Sequence, residues 1–258
     1  MTIKDKVAIV TGAARGFGKR IAEVIVEKGG KVIVSDILDG EDVARQLNEA
    51  KGKKVAVFVK CDVSKTEDLE KTLSLAISEF GRLDILVNNA GIGGTPVWGD
   101  KDSRMLRKTI EVDLISVIDF TRLAVAYWNT LPCGENETVG VVVNVASNMA
   151  FFPASTGPAY GPAKAGVVNF TATCASLYPK IRVNAVAPNY ADTDMLRRAL
   201  SAGGNNLNVI KKNAVLTVDE VVDNMIRCIE DESLVGDTIK LIAGKPPLVH
   251  KQRKAAKL

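Results

Sequence analysis

Read from the N-terminus, apolar residues come in short β-rich runs separated by longer stretches spaced for helices. Lys6–Val10 reads as a strand, and Gly18–Lys28 places Ile21, Ala22, Ile25 and Val26 on one helical stripe that Gly29-Gly30 stops. Lys31–Asp36 reads as the second strand, Val55–Val63 as the third, Thr66–Phe80 as a helix and Leu83–Val87 as the fourth strand. A long helix over Arg104–Tyr127 follows, then a polar loop at Asn129–Thr138 and a strand at Val139–Val145. The pattern continues with a helix over Ala159–Leu177, a strand at Ile181–Ala187, a helix opening at Thr217 and a strand at Thr238–Ile242. Thr217 with Glu220 three residues on predicts a capping box at that opening.

Strands alternating with helices of this length build right-handed βαβ crossovers. The expected fold is therefore α/β: a doubly wound parallel sheet of the Rossmann type, about seven strands, in a single domain over residues 1–250. Residues 251–258 read as a basic C-terminal tail. The stretch Asp192–Asn213, centred on Ser201-Ala-Gly-Gly-Asn-Asn206, follows neither period and is placed as an irregular, mobile lid over a substrate site.

Composition narrows the class without choosing a chemistry. Of 258 residues, 47% are hydrophobic and 25% charged. No apolar run nears the ~18–20 residues that span a bilayer, so no membrane partner is expected. Met1–Lys6 leads at once into the first strand, without the apolar core of a signal peptide. The formal charge is +4, and Lys251, Arg253, Lys254 and Lys257 in the final KQRKAAKL account for all of it. The body is neutral, so no nucleic-acid partner is expected. Cys61, Cys133, Cys174 and Cys228 stand far apart and His250 is the one histidine, so the expectation is reduced thiols and no metal site.

Thr11-Gly12-Ala13-Ala14-Arg15-Gly16-Phe17-Gly18 joins the first strand to the first helix. Glycines at such a junction permit a tight turn and let N–H groups at the helix N-terminus approach a pyrophosphate. The spacing departs from G-x-G-x-x-G, and a glycine-rich turn by itself is only a turn. Asp36 adds weight, because it ends the second strand 18 residues after Gly18. A carboxylate there accepts the adenosine ribose hydroxyls of NAD and repels the 2′-phosphate of NADP. Arg15 pulls the other way, as a cation that favours that phosphate. Asp36 both attracts one carrier and repels the other, so NAD is the expected cofactor, with Gly12, Arg15, Gly16, Phe17, Gly18, Asp36 and Ile37 as contacts.

Further motifs follow in order. Asn88-Asn89-Ala90-Gly91 comes after the fourth strand, Ser147 at the end of the fifth, Tyr160-x-x-x-Lys164 with its tyrosine 13 residues beyond Ser147, and Ile181–Pro188 with Thr193 after it. Each is ordinary alone; a Tyr and a Lys one turn apart are usually just neighbours on a helix face. Together with the TGxxxGxG loop they resemble the short-chain dehydrogenase/reductase family, from about Lys6 to Thr193 and more loosely to Gly244. That resemblance implies hydride transfer between nicotinamide and a substrate carbon bearing a hydroxyl or carbonyl, with no metal. A phenol near pKa ~10 is a poor base at neutral pH. In the family's scheme Tyr160 exchanges a proton with the substrate oxygen, the Lys164 ammonium lowers the phenol's pKa and binds the nicotinamide ribose, and Ser147 polarises the substrate oxygen. The resemblance also implies Cys61, Asp62 and Val63 at the adenine, and Asn89, Ala90 and Gly91 on the adenosine side with Val112. Ala191 and Thr193 fall at the carboxamide. It implies a homodimer or homotetramer as well.

The chain departs from the family at several points. Asp113 in Glu111-Val-Asp-Leu114 takes the place of an asparagine, and is grouped here with the catalytic candidates because its carboxylate can stabilise charged Lys164 or distort the helix. Asn189 replaces the glycine after Pro188 and is expected to keep the loop in the left-handed region that asparagine tolerates. Asn148, Met149, Phe151 and Phe152 make the continuation of Ser147 bulky, either as core packing or as an apolar pocket wall. Asp113–Ile118 and Thr217–Glu232 are similar to the NAD-dependent 15-hydroxyprostaglandin dehydrogenase group within the family. Gly157 stands where that group has a glutamine, so a different, apolar secondary alcohol or ketone is expected as substrate. A catalytically silent NAD-binding regulator on the same fold is the alternative.

Ala256-Lys257-Leu258 resembles the Ser-Lys-Leu peroxisomal address, which makes a peroxisomal import receptor a candidate partner; without it the protein is expected in the cytoplasm. If the tail is an address, a fluorescent fusion moves from peroxisomes to the cytosol when Leu258 is deleted. The same distribution with and without Leu258 removes that reading.

Overall fold

The chain is described by a computed structural model over residues 1–93, 97–98, 102–155, 157–201 and 215–251. The first half runs β1 (Val7–Thr11), α1 (Gly16–Glu27), β2 (Lys31–Asp36), α2 (Glu41–Lys51), β3 (Ala56–Lys60), α3 (Thr66–Phe80) and β4 (Ile85–Asn88). The second half runs α4 (Arg104–Ile110), a π-helical turn at Glu111–Ile115, α5 (Ser116–Asn129), β5 (Gly140–Val145), α6 (Tyr160–Thr173) and β6 (Ile181–Pro188). It closes with α7 (Asp194–Ser201), α8 (Val218–Glu230), β7 (Thr238–Leu241) and β8 (Leu248–His250).

The strands form one sheet in the order β3-β2-β1-β4-β5-β6-β7-β8. All neighbours pair parallel except β7 with β8. The inner strands β1, β4, β5 and β6 are buried at every position, as a sheet covered on both faces requires. On one face α1 and α8 pack over Ala8, Val10, Val141 and Val143; on the other, Ile9, Leu86 and Val142 meet Leu69, Phe120 and Trp128. The Trp128 ring lies where a side chain at position 140 would stand, so Gly140 is what admits it, and its Nε1 donates to Leu83 O at 2.7 Å.

A line of buried amides seats α5 and α6 on the sheet. Asn88 Nδ2 donates to Asn144 Oδ1 at 2.9 Å and Thr121 Oγ1 at 3.1 Å, and Asn144 Nδ2 donates to Thr171 Oγ1 at 3.0 Å. Each donor removed from water thus finds an acceptor, which burial demands. At Thr217 both halves of the capping box form.

The structure departs from the sequence reading in four places. There are eight strands among the described residues rather than about seven, because Leu248–His250 adds an antiparallel edge to β7. Helix α2 has no counterpart in the sequence reading; its apolar stripe is only Val43, Ala44 and Leu47, too narrow to stand out from a polar run. The stretch read as an irregular lid begins as helix α7, and the remainder of it, 202–213, lies outside the described residues, as does Ala256-Lys257-Leu258. Asn189 is not left-handed: among the described residues Asp5 is the one non-glycine with positive φ, and the Asn189 N–H instead donates to Leu241 O at 2.9 Å.

Arg182, fully buried in β6, lies within the Ile181–Pro188 run but was assigned no role there. Its guanidinium closes the C-terminal end of α8, donating to Cys228 O at 3.1 Å, Asp231 O at 3.0 Å and Ile229 O. The cation also meets the negative end of the helix dipole. Arg182→Met keeps the bulk but leaves those carbonyls without donors. Urea unfolding is expected to show a loss of about 3 kcal/mol or more; a loss under about 1 kcal/mol would mean that water replaces the guanidinium.

Candidate active site

The strand order reverses at β1, which pairs with β2 on one side and β4 on the other, so the crossovers leave to opposite faces and a crevice opens at the strand C-termini. The sequence motifs converge there. Gly12 and Gly16 both adopt positive φ, at 64° and 56°, and α1 begins at Gly16 with its N-terminus facing the crevice. A Cβ on Gly18 would lie 2.1 Å from Gly12 O, so no other residue lets α1 come so close to the loop. The loop is braced from β4: Asn89 Nδ2 donates to Thr11 O at 2.8 Å and Gly12 O at 3.1 Å, and the Ala90 N–H donates to Thr11 Oγ1 at 3.0 Å. Phe17 packs part-buried against the core behind the loop.

Asp36 ends β2 buried, with Oδ2 accepting from the Ala14 N–H at 2.8 Å and Oδ1 from the Leu38 N–H at 2.9 Å. Each oxygen keeps a lone pair for a further donor. Arg15 turns away from Asp36 and pairs with Asp194 of α7 at 3.6 Å, while Ile37 is exposed beside the acid. The Cys61 thiol is buried in the core, and that burial pushes its pKa up. Asp62 and Val63 follow it. Burial pushes Asp62 up, but hydrogen bonds from Ser64 and the Lys108 ammonium outweigh it and hold the carboxyl below its ordinary value. On the far side Ala191 is buried and bridges Leu216, and the Thr193 N–H donates to Ala191 O at 2.8 Å.

Ser147, Tyr160 and Lys164 meet at the ends of β5 and α6. Ser147 caps the turn Asn148–Ala150 by accepting from the Met149 N–H at 3.2 Å. The Met149 methyl rests against Gly157, 2.8 Å from where a Cβ would be, so the glycine gives an apolar thioether the space beside Tyr160. Lys164 Nζ lies 5.6 Å from the Tyr160 ring centre, donates to Val145 O at 2.9 Å and pairs with Asp113 Oδ1 at 3.2 Å. Asp113 sits in the π-helical turn, whose wider pitch carries it inward to complete exclusion from solvent, beside buried Val112. Its Oδ1 also accepts from the Ile92 N–H at 3.2 Å, and its Oδ2 has no partner among the described residues. A Cβ on Gly91 would lie 2.7 Å from that Oδ1.

The charges oppose one another. Burial pushes Lys164 down, but Asp113 and Tyr160 more than restore it, and the amine stays a cation. Burial pushes the Asp113 carboxyl up, with Lys164 pulling back. Burial likewise raises the Tyr160 phenol; Lys164 and Ser147 lower it, Asp113 raises it, and the net is upward. Burial is the largest of the effects on the phenol, and Lys164 opposes it, as expected of a neighbouring ammonium.

A sequence model of the short chain dehydrogenase family matches residues 6–202. The chain belongs to that family. It is 31% identical over 260 residues to 15-hydroxyprostaglandin dehydrogenase [NAD(+)] of Homo sapiens, covering 95% of this chain and 94% of the relative. To cis-4-hydroxycyclohexanecarboxylate dehydrogenase of Sinomonas cyclohexanicum it is 37% identical over 196 residues, 74% and 76% of the two chains. To mitochondrial borneol dehydrogenase of Lavandula x intermedia it is 33% identical over 235 residues, 90% and 86%. The crystal structure of levodione reductase superimposes with a TM-score of 0.83 at 22% identity, covering 93% of this chain and 97% of that one, and so shares the fold. Among the described residues of this short chain dehydrogenase, no helix is long and apolar enough to cross a membrane.

The glycine cradle gives a direct test. Gly18→Ala forces Gly12 away from its position, and affinity for a nicotinamide dinucleotide measured by calorimetry is expected to fall at least about tenfold, or ~1.4 kcal/mol, while the fold persists. Unchanged affinity would mean that the loop is not where the pyrophosphate binds.

Proposed function

We propose that this protein is an NAD-dependent dehydrogenase that interconverts a secondary alcohol and a ketone on an apolar small molecule. The observation that carries the reading is the convergence of Ser147, Tyr160 and Lys164 on the crevice that also holds the glycine loop and Asp36.

The residues present fit a dinucleotide. Gly12, Arg15, Gly16, Phe17 and Gly18 shape a loop whose helix N-terminus receives a pyrophosphate, and Asp36 takes the adenosine ribose hydroxyls. Arg15 is engaged by Asp194, so it does not offset the repulsion that Asp36 exerts on a 2′-phosphate. Asp62, Val63, Asn89, Ala90, Gly91 and Val112 flank the adenosine half, and Ala191 and Thr193 the nicotinamide half. When bound, NAD supplies the ring carbon that accepts or returns the hydride.

The chain's own groups handle the oxygen and its proton. Ser147 donates a hydrogen bond to the substrate oxygen and Tyr160 takes the hydroxyl proton in oxidation or returns it in reduction. Lys164 has three N–H donors; Val145 O and Asp113 use two, and the third is left for the nicotinamide ribose and for stabilising the phenolate. Met149 supplies apolar surface beside Tyr160. The relatives named for hydroxyprostaglandin, hydroxycyclohexanecarboxylate and borneol support an alcohol of mainly hydrocarbon character. We extend the reading to one catalytic unit over residues 1–250, a homodimer or homotetramer, and a cytoplasmic or peroxisomal address set by the tail.

A panel of secondary alcohols screened with NAD⁺ and NADP⁺ tests the proposal through reduced-nicotinamide absorbance. Turnover is expected with NAD⁺ ahead of NADP⁺, and Tyr160→Phe is expected to lower kcat by about 10²–10⁴-fold with NAD affinity retained. NAD binding without turnover of any alcohol would favour a silent regulator; undiminished turnover in Tyr160→Phe would overturn the mechanism.

A further inference from the structure

Lys164 and Asp113 form an ion pair that is 4% and 0% exposed, with Lys164 one helical turn from Tyr160. The hydrogen bonds around Asp113 do not by themselves require a charge. Oδ1 accepts from Lys164 and from the Ile92 N–H, and an amide oxygen would accept from both equally well. What the carboxylate adds is a full negative charge in a site of low dielectric, where charges act on one another strongly and over some distance. Oδ2 has no donor among the described residues, so little besides Lys164 and one N–H spreads that charge.

We propose that Asp113 is a positioning residue that sets the working pH of Tyr160: its carboxylate holds Lys164 in place and cancels much of the field that this cation exerts on the phenol. The proposal rests on Tyr160 being the acid–base group. The upward displacement of the Tyr160 phenol, to which Asp113 contributes, is consistent with it.

Among the described residues no other charge replaces Asp113 in this role. On α4, Lys108 is held by Asp62 and Arg104 by Asp102, with Arg107 on Ser103. On α5, Asp119 pairs with Arg122. In β6, Arg182 is spent on the end of α8, and in β7, Lys240 lies over the rings of Phe151 and Phe152. Glu111, on the same π-helical turn, is exposed to solvent, and Ser147, the remaining group on the phenol, is neutral.

The test reads Tyr160 directly in the ligand-free protein, by NMR with tyrosine isotope-labelled at Cζ and the Tyr160→Phe variant to assign the signal. In Asp113→Asn the midpoint of Tyr160 is expected to fall by about one pH unit, a roughly tenfold gain in phenolate at a given pH. Asp113→Glu, which keeps the charge, is expected to restore most of the parental midpoint. The sign discriminates: if Asp113 only holds Lys164 in position, its removal lets the ammonium drift off and the midpoint rises. A rise or an unmoved midpoint overturns the proposal. Asp113→Ser removes the carboxylate with less bulk and gives the same readout should the amide not pack, as thermal melting will show. The pH profile of alcohol oxidation in Asp113→Asn is expected to move the same way. A shifted midpoint with no alcohol turnover by the parent protein would leave the electrostatic proposal standing and remove the dehydrogenase reading; turnover with an unshifted midpoint would do the reverse.

Discussion

Strand β1 hydrogen-bonds β2 along one edge and β4 along the other, and the chain leaves these two neighbours over opposite faces of the sheet. A parallel sheet covered on both faces must then part its connections at β1, and the strand ends around that parting supply the loop, Asp36, Asn89 and Ser147, while the helices bring Asp113, Tyr160 and Lys164 to it. The glycine loop follows β1, Asp36 ends β2, Asn89 follows β4 and Ser147 follows β5. The crevice therefore belongs to the topology, and the residues at its rim decide what it holds. The buried amides Asn88 and Asn144, tied to Thr121 and Thr171, carry the same constraint outward by fixing α5 and α6 against the sheet.

Within that frame the electrostatics depend on a short stretch of irregular helix. An α-helix continued through Glu111–Ile115 would turn its side chains by the ordinary period; the π-helical turn widens the pitch and leaves Asp113 fully inside. Gly91 has no side chain to meet it, and Lys164 reaches it from α6. A buried pair of this kind gives uncertain net stability, since desolvation offsets attraction, but breaking one side of it typically costs about 3–5 kcal/mol. Its value to the protein thus lies in specifying where the ammonium stands, and in how much of its charge reaches the phenol.

Much of this was legible along the chain. Strand-helix alternation and the glycine junction led to a doubly wound sheet with the C-terminal strand ends within one residue of those observed, β3 excepted. The ordered motifs brought Ser147, Tyr160 and Lys164 together before any contact was known. Elements with weak local signals were not legible: α2 buries only a narrow stripe, β8 is three residues long with an exposed Leu248, and α7 is only eight residues long. The role of Arg182 was not legible from the Ile181–Pro188 run that contains it, because capping a helix from a neighbouring strand leaves no mark at fixed spacing.

The sequence by itself determined which chemistry-bearing residues the chain has, and through hydrophobic periodicity and crossover handedness which edge of the sheet they reach. Only the tertiary structure decided how their charges act on one another. Arg15 lies against Asp194, Cys61 is buried in the core, Asn189 keeps an ordinary backbone, and Asp113 stands behind Lys164. The reason is physical: periodicity is a property of neighbours in sequence, whereas a field between buried charges depends on distance and desolvation between groups far apart along the chain. Asp113 and Lys164 acquire their relation only when two helices dock on the same sheet.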